Sequence, residues 1–108
     1  MAKNSPREGQ YEVYWPRASR QVSLKPLAPR LESLDGKTVA QLWDYVFRGD
    51  EVFAVMEEEM RRRYPGVKFV SYSEFGSTHG GDEREVVASL AKRFKELKVD
   101  AVVSGMGC

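Results

Sequence analysis

The sequence lacks the features that mark membrane, secreted and metal-bound proteins. Its 108 residues include one cysteine and one histidine, which excludes an intrachain disulfide and a cysteine-rich zinc site. No run of 18 apolar residues offers a transmembrane helix, and residues 1–10 lack the apolar segment of a secretory signal. We therefore expect a protein of the reducing cytoplasm with no membrane partner, no metal and no cofactor.

What is present is typical of one globular domain. Hydrophobic residues make up 42% of the chain and charged residues 31%. The net charge of +1 hides a basic arm at residues 1–30, which has six basic and two acidic side chains. The arm also carries apolar residues and four prolines, so we expect an extended segment that packs on its own domain or on a partner subunit, not on nucleic acid.

The pattern of apolar residues after the arm predicts alternating strands and helices. The apolar run 38–47 favours a strand with an irregular end near Asp44, although a short helix is an alternative. A helix capped by Asp50 ends at Pro65-Gly66, and a second helix follows an Asp82 cap. The second and third strands are expected at 67–72 and 99–103.

Each helix has apolar residues at helical spacing, which predicts one buried face. In the first helix these are Val52, Phe53, Val55, Met56 and Met60, and in the second Val86, Val87, Leu90, Ala91, Phe94 and Leu97. Three glutamates, Glu57, Glu58 and Glu59, stand four residues before Arg61, Arg62 and Arg63. This arrangement predicts three ion pairs on a solvated helix face.

The fold class expected is α/β, with a β-α-β-α-β order and a short parallel sheet, half of a doubly wound domain. We assign residues 1–30 to the irregular arm and 31–108 to an incomplete α/β domain. The third strand would leave a sheet edge uncovered. The sequence therefore predicts a homo-oligomer or a complex with a second polypeptide.

Ligands of open parallel sheets bind at the carboxyl ends of the strands. There Cys108 follows the third strand, and His79 lies on a glycine-rich loop. A nearby histidine lowers the pKa of a thiol, so the two form a candidate nucleophile and base. The alternative is that Cys108 is a small apolar residue and His79 a hydrogen-bonding loop residue.

Other residues at this edge offer weaker signals. Residues 77–82, including Ser77, Thr78 and Gly80, combine hydroxyls with a helix N-terminus and predict an anion site, or else an ordinary capped loop. Asp44 and Asp50 form a candidate carboxylate pair, unless Asp50 caps its helix and Asp44 meets Arg48. Residues 105–107 (GMG) resemble part of a dinucleotide fingerprint, but they follow the third strand with no helical pattern after them, so we do not expect a dinucleotide site.

Five segments together resemble the UGSC family of bacterial selenoproteins and their cysteine counterparts. They are 27–31 (LAPRL), 34–39 (LDGKTV), 42–50 (LWDYVFRGD), 75–80 (FGSTHG) and 100–108 (DAVVSGMGC). In that family the third strand leads into a selenocysteine- or cysteine-Gly-Ser-Cys motif. Because selenocysteine is encoded by a stop codon, we expect a chain truncated at or just before that motif, or one piece of a split protein.

The resemblance implies thiol- or selenol-based chemistry, redox or nucleophilic, on a small and possibly anionic substrate. Cys108 would border the reactive motif, with His79 as a base or orienting group. Ser77, Thr78 and Ser104 would line the pocket, and Arg48 would hold an anionic group. Two other functions stay open, a non-catalytic subunit that completes its sheet with a partner chain and a small-anion-binding module.

Overall fold

The computed structural model describes residues 9–19 and 22–107. The elements are β1 (Thr38–Trp43), α1 (Gly49–Arg63), β2 (Lys68–Val70), a 3₁₀ turn (Tyr72–Glu74), α2 (Glu83–Glu96) and β3 (Ala101–Gly105). The three strands form one parallel sheet in the order β2-β1-β3. The predicted α/β class and the β-α-β-α-β order are therefore confirmed.

Several predicted boundaries are wrong. The first strand ends at Trp43, and the second covers only Lys68–Val70 because the chain turns into the 3₁₀ turn at Tyr72. The third strand lies two residues later than expected, at Ala101–Gly105. Asp50 does not cap α1, since the helix already begins at Gly49 with Arg48 at the N-cap position and no side-chain cap. Asp82 does occupy the N-cap position of α2, but its side chain makes no capping hydrogen bond.

The two helices cover opposite faces of β1. Ala40 and Leu42 point towards α2 and form the core with Phe75. Leu90, Phe94 and Leu97 pack against this core from α2, while Val70 packs against it from β2. On the opposite face, Phe53 from α1 is buried and lies against Tyr72. Burial of β1 on both faces explains its nearly continuous apolar sequence.

The apolar run of β1 is interrupted by Gln41, which is almost completely buried. Its side-chain amide donates a hydrogen bond of 2.7 Å to Glu57 on α1, so the buried polar group is satisfied. Glu57 also pairs with Arg61 at 3.1 Å. The prediction that Glu57 belongs to a wholly solvated face was therefore incomplete.

The expected ion pairs on α1 form in part. Glu57 pairs with Arg61, and Glu59 with Arg63 at 2.8 Å, both with the predicted spacing of four residues. Arg62 pairs with Glu59 rather than with Glu58. These hydrogen bonds, from Arg62 first and then from Arg63, lower the pKa of the exposed Glu59 to about 2.

The predicted buried faces of the helices are broader than the real ones. Val52 and Val55 on α1 are 52% and 67% exposed, and Val87 on α2 is 55% exposed. Ala91 is exposed as well. The sheet has only three strands, so each helix buries a narrow stripe and leaves the flanking apolar residues in water.

The arm is extended where the structure describes it, at residues 9–19 and 22–31, with no helix or strand. Its last residues, 27–31, lie beside Asp100–Val102 at the start of β3 and border a groove of about 490 Å³. The described residues before them, 9–19 and 22–26, are exposed. None of the helices in the described parts of the chain is long and apolar enough to cross a membrane.

Candidate functional site

Three segments meet at the carboxyl end of β1, as expected from parallel strands. On one side Ser77 forms a parallel bridge with Trp43, and on the other Gly105 pairs with Trp43 as the last residue of β3. Because α1 and α2 leave the sheet on opposite faces, the crevice between β1 and β3 is the position where doubly wound sheets bind ligands. We call this edge the rim, consisting of residues 43–49, 76–82 and 104–107.

Asp44 connects the segments of the rim. Its side chain is buried, with the residue only 2% exposed. One carboxylate oxygen accepts a 2.7 Å hydrogen bond from the backbone N–H of Gly107, and the other accepts one of 3.1 Å from Val46. The hydroxyl of Ser77 donates to the Asp44 carbonyl oxygen at 3.3 Å. Asp44 therefore ties the β1–α1 loop to the residues after β3.

The turn at Asp44 explains why β1 ends at Trp43. The hydrogen bond from Val46 to the Asp44 side chain closes an Asx turn. Tyr45, at the centre of this turn, has a φ of 62°, a left-handed conformation that is unfavourable for a bulky residue. Stacking of its ring on Trp43, with centroids 4.1 Å apart, stabilises that conformation.

An aromatic cluster lies beneath the β1–α1 loop, on the α1 face of the sheet. Trp43 stacks on Tyr45 and meets the rings of Phe47 and Tyr72 edge-on. Three glycines make room for these rings. A Cβ atom at Gly49 would lie 2.5 Å from the Trp43 indole, and one at Gly105 or Gly107 would lie 2.8 or 3.1 Å from the Phe47 ring. The GMG segment thus serves close packing against an aromatic ring.

The loop before α2 is held against the end of β1. Thr78 donates its backbone N–H to the Trp43 carbonyl oxygen at 3.2 Å, and His79 donates its own to the Ser77 hydroxyl at 3.1 Å. These two donors of the predicted anion site are therefore used within the protein. Gly80 lies on the exposed part of the loop and accepts a hydrogen bond from the Glu83 N–H.

The charged candidates on the rim are exposed. The His79 side chain is 72% exposed, and its Nδ1 lies 3.9 Å from a Glu83 carboxylate oxygen. Arg48 points into solvent and approaches Glu51 at 3.8 Å. The alternative that Asp44 meets Arg48 is wrong, because the Asp44 carboxylate binds backbone N–H groups instead. The pairing of Asp44 with Asp50 is not formed either, since Asp50 is exposed in the first turn of α1.

Two of the predicted residues lie after or at the end of β3. Ser104 is on the exposed side of the strand, facing away from the aromatic cluster. Cys108 lies outside the described residues, and it is bonded to Gly107, whose N–H is held by Asp44. The structure therefore brings the β3 end and the His79 loop to the same rim, on either side of β1.

Among the described residues, no group of three or more acidic, histidine or cysteine side chains has the arrangement of a metal site. Two polar atoms of the rim are buried without a hydrogen-bond partner in this part of the chain, the indole nitrogen of Trp43 and the hydroxyl of Thr78. An indole nitrogen and a threonine hydroxyl are not the usual ligands of a protein-bound metal.

Sequence reasoning missed the role of Asp44. An acidic residue directly after an apolar strand was considered only as part of a carboxylate pair or as a partner of Arg48. The available signal was the position of Asp44. Aspartate at the end of a strand often accepts a hydrogen bond from the backbone N–H two residues later, which turns the chain. The identity of its second partner, Gly107, depends on tertiary structure.

The arrangement can be compared with known proteins. The family model of the UGSC family matches residues 12–108. The chain belongs to the UGSC family. The match covers both the α/β part and most of the arm, so the arm is part of what this UGSC protein shares with its family. No curated protein and no solved structure shows significant similarity to the chain.

Proposed function

We propose that this UGSC protein is a thiol- or selenol-dependent enzyme, redox or nucleophilic, or a subunit of one, with its site on the rim. The observation that carries the proposal is the hydrogen bond from Gly107 to the buried Asp44 carboxylate. It fixes the backbone directly before Cys108 at the crevice between β1 and β3. A buried carboxylate used to hold a backbone segment indicates that the position of that segment matters.

The proposed roles follow from what surrounds this segment. Cys108 supplies the thiolate, and His79 acts as its base or orienting group. Ser77 and Gly105 flank β1 on opposite sides, so their backbones are roughly 10 Å apart at two strand spacings. His79 and Cys108 lie two and three residues further along, which is enough chain for their side chains to converge.

Substrate contacts are proposed for the exposed side of the rim. Arg48 offers an exposed cation to an anionic substrate, while Ser104 and Gly80 border the opening. Thr78 has a hydroxyl without a partner among the described residues, so it is free to bind a substrate after a small movement. Ser77, whose hydroxyl already binds Asp44, acts by holding the loop in place.

Alkylation of Cys108 tests the proposal, because it is the only thiol in the chain. We expect iodoacetamide to react at pH 7 at least ~5-fold faster with the native protein than with the same chain in urea, because the rim stabilises the thiolate. Asp44→Asn should return the rate towards that of the unfolded chain while circular dichroism still shows the fold. A native rate equal to or below the unfolded rate would overturn the proposal.

A second candidate function is a non-catalytic subunit whose sheet is completed by a partner chain. It is favoured by the exposure of β3, where Val102 is 41% exposed and no strand of the described chain pairs with the outer edge. If Cys108 alkylates at the unfolded rate but the chain forms a stable complex through β3, this function replaces the first. The anion-binding module is less favoured, because two of its expected backbone donors are used within the loop.

A further inference from the structure

The arm exposes several large apolar side chains to solvent, although removing them from water would be favourable. Seven of them are between 76% and 99% exposed, namely Tyr11, Val13, Tyr14, Trp15, Val22, Leu24 and Leu27. The molecule measures 83 by 33 by 28 Å, with a radius of gyration of 23.3 Å, against about 13 Å for a compact domain of this length. The arm therefore extends away from its own domain. Several large apolar side chains exposed on one segment mark an interaction site.

The first turns of α1 form a complementary surface. Val52, Val55 and Met56 form a shallow, open apolar surface along one face of α1, with Glu51 and Glu59 at its ends. The sequence predicted that both valines are buried, and nothing in the described chain covers them. We call this surface the α1 groove.

The charges of the two surfaces are opposite. Residues 11–27 contain Arg17, Arg20 and Lys25 against Glu12, a net charge of +2. Residues 50–60, which contain the α1 groove, carry five carboxylates and no basic side chain. Most of these carboxylates have arginine partners, which are Arg48 for Glu51, Arg61 for Glu57, and Arg62 and Arg63 for Glu59. With these arginines, residues 48–63 carry a net charge of −1, and Glu58 forms no ion pair within the described residues.

We propose that a second copy of this chain occupies the α1 groove with its arm, and that the exchange is reciprocal. Residues 27–31 lie beside β3, and the described residues 11–19 and 22–24 are exposed and can reach a neighbouring molecule. Such an exchange uses the same two surfaces on each copy and closes as a twofold dimer. It does not depend on the proposed thiol chemistry.

The apolar area of two arms is comparable to the area that a specific dimer interface buries. The three aromatic side chains of the arm, Tyr11, Tyr14 and Trp15, bury about 150–250 Å² each when covered. Two arms therefore supply roughly 900–1,500 Å² from aromatic side chains alone, within reach of the ~1,200–2,000 Å² total of a specific interface. Tyrosine and tryptophan are also the residues that most often dominate binding energy.

The test compares the oligomeric state of the full chain and three variants by sedimentation. The wild type should have twice the mass of one chain. Tyr14→Ser/Trp15→Ser in the arm and Val52→Ser/Val55→Ser in the α1 groove should each weaken dimerisation at least ~30-fold. Val87→Ser on α2, a matched control with similar exposure, should leave the dimer unchanged.

Mixing the arm variant with the groove variant gives the sharpest result. Each is expected to be monomeric alone, but together they retain one intact arm and one intact α1 groove, so a heterodimer should form. A monomeric wild type, a dimer that survives both double substitutions, or the absence of a heterodimer overturns the proposal. Loss of the dimer in Val87→Ser overturns it as well.

Fluorescence of Trp15 provides a second readout that does not depend on any variant folding correctly. The other tryptophan, Trp43, is buried in the aromatic cluster, so acrylamide reports mainly on Trp15. Quenching should increase when the wild type is diluted and the dimer dissociates. Quenching that is complete at every concentration, or protection of Trp15 in a chain of monomer mass, contradicts exchange between copies.

Discussion

The rim and the arm of this UGSC protein differ in how far their side chains are buried by the rest of the chain. At the rim, the rings of Trp43, Tyr45 and Phe47 pack together, and Asp44 binds two backbone N–H groups in a buried position. In the arm, seven apolar side chains stand in water. The rim is therefore held together by contacts within the chain, whereas the described part of the arm leaves its apolar side chains exposed.

The largest loss in the free energy of unfolding is expected when Asp44 on the rim is replaced. Asp44→Ala leaves the N–H groups of Val46 and Gly107 without an acceptor, at a cost of roughly 2–4 kcal/mol for the two groups together. Urea unfolding measures the change. The control Asp50→Ala removes an exposed carboxylate from the first turn of α1 and should cost less than about 1 kcal/mol. Equal losses in the two variants would show that Asp44 is not a buried link.

A smaller loss should follow from adding one carbon beneath the aromatic cluster. In Gly49→Ala the new Cβ would lie 2.5 Å from the Trp43 indole, which is stacked on Tyr45 and cannot withdraw freely. We expect a loss of about 1–3 kcal/mol in the free energy of unfolding.

The control for this substitution is Gly81→Ala, where nothing lies within 4 Å of the added carbon. That variant should be neutral or stabilised by up to about 1 kcal/mol, because alanine restricts the unfolded chain. A stable Gly49→Ala variant would mean that the aromatic cluster is loosely packed.

The third prediction concerns the reactivity of the rim rather than its stability. If His79 supports the Cys108 thiolate, His79→Ala should slow alkylation at pH 7 at least ~3-fold and raise the midpoint of the pH–rate profile by about one unit. At pH 10 the rates should converge, because the thiol is then ionised in both proteins.

The size of the shift in the pH–rate profile depends on the distance between the His79 ring and the Cys108 sulfur. Two charges that stay ~10 Å apart in water interact by only ~0.4 kcal/mol, or roughly 0.3 pH units. A shift of that size or less would show that His79 does not contact the thiol. Lys92→Ala, which removes a cation from a later turn of α2, provides the control and should leave the profile unchanged.

The smallest change in the free energy of unfolding is expected on the solvated face of α1. Hydrogen bonds from Arg62 and Arg63 lower the pKa of Glu59 to about 2, so this carboxylate contributes stability above pH ~4.5 that disappears as the pH falls towards 2. The difference in unfolding free energy between wild type and Glu59→Gln should therefore shrink over that range at low salt. A difference that stays constant between pH 5 and pH 2 would contradict the ion pairing of Glu59.

The order of elements and the parallel sheet were predictable because they depend on local patterns. Apolar runs of strand length alternate with helical patterns, and the crossover lengths leave room only for parallel strands. The location of the candidate site at the carboxyl ends of the strands follows from the same reasoning. The family resemblance rests on the same segments, and the match over residues 12–108 confirms it.

What could not be predicted depends on contacts between distant residues. Asp44 and Gly107 are 63 positions apart, and Gln41 is satisfied only because Glu57 faces it from α1. The exposure of Val52 and Val55 depends on how much of α1 a three-stranded sheet can cover. The ends of β1 and β2 were misplaced because the Asx turn at Asp44 and the 3₁₀ turn at Tyr72 end them earlier than hydrophobicity indicates.

The account depends most directly on the hydrogen bond between Asp44 and Gly107, which amide hydrogen exchange of Gly107 measures. In the wild type we expect this N–H to exchange at least ~10-fold more slowly than in an unstructured peptide, and Asp44→Ala should remove the protection while Leu42 in β1 stays protected. A Gly107 amide that exchanges at the unprotected rate in the wild type would contradict the account.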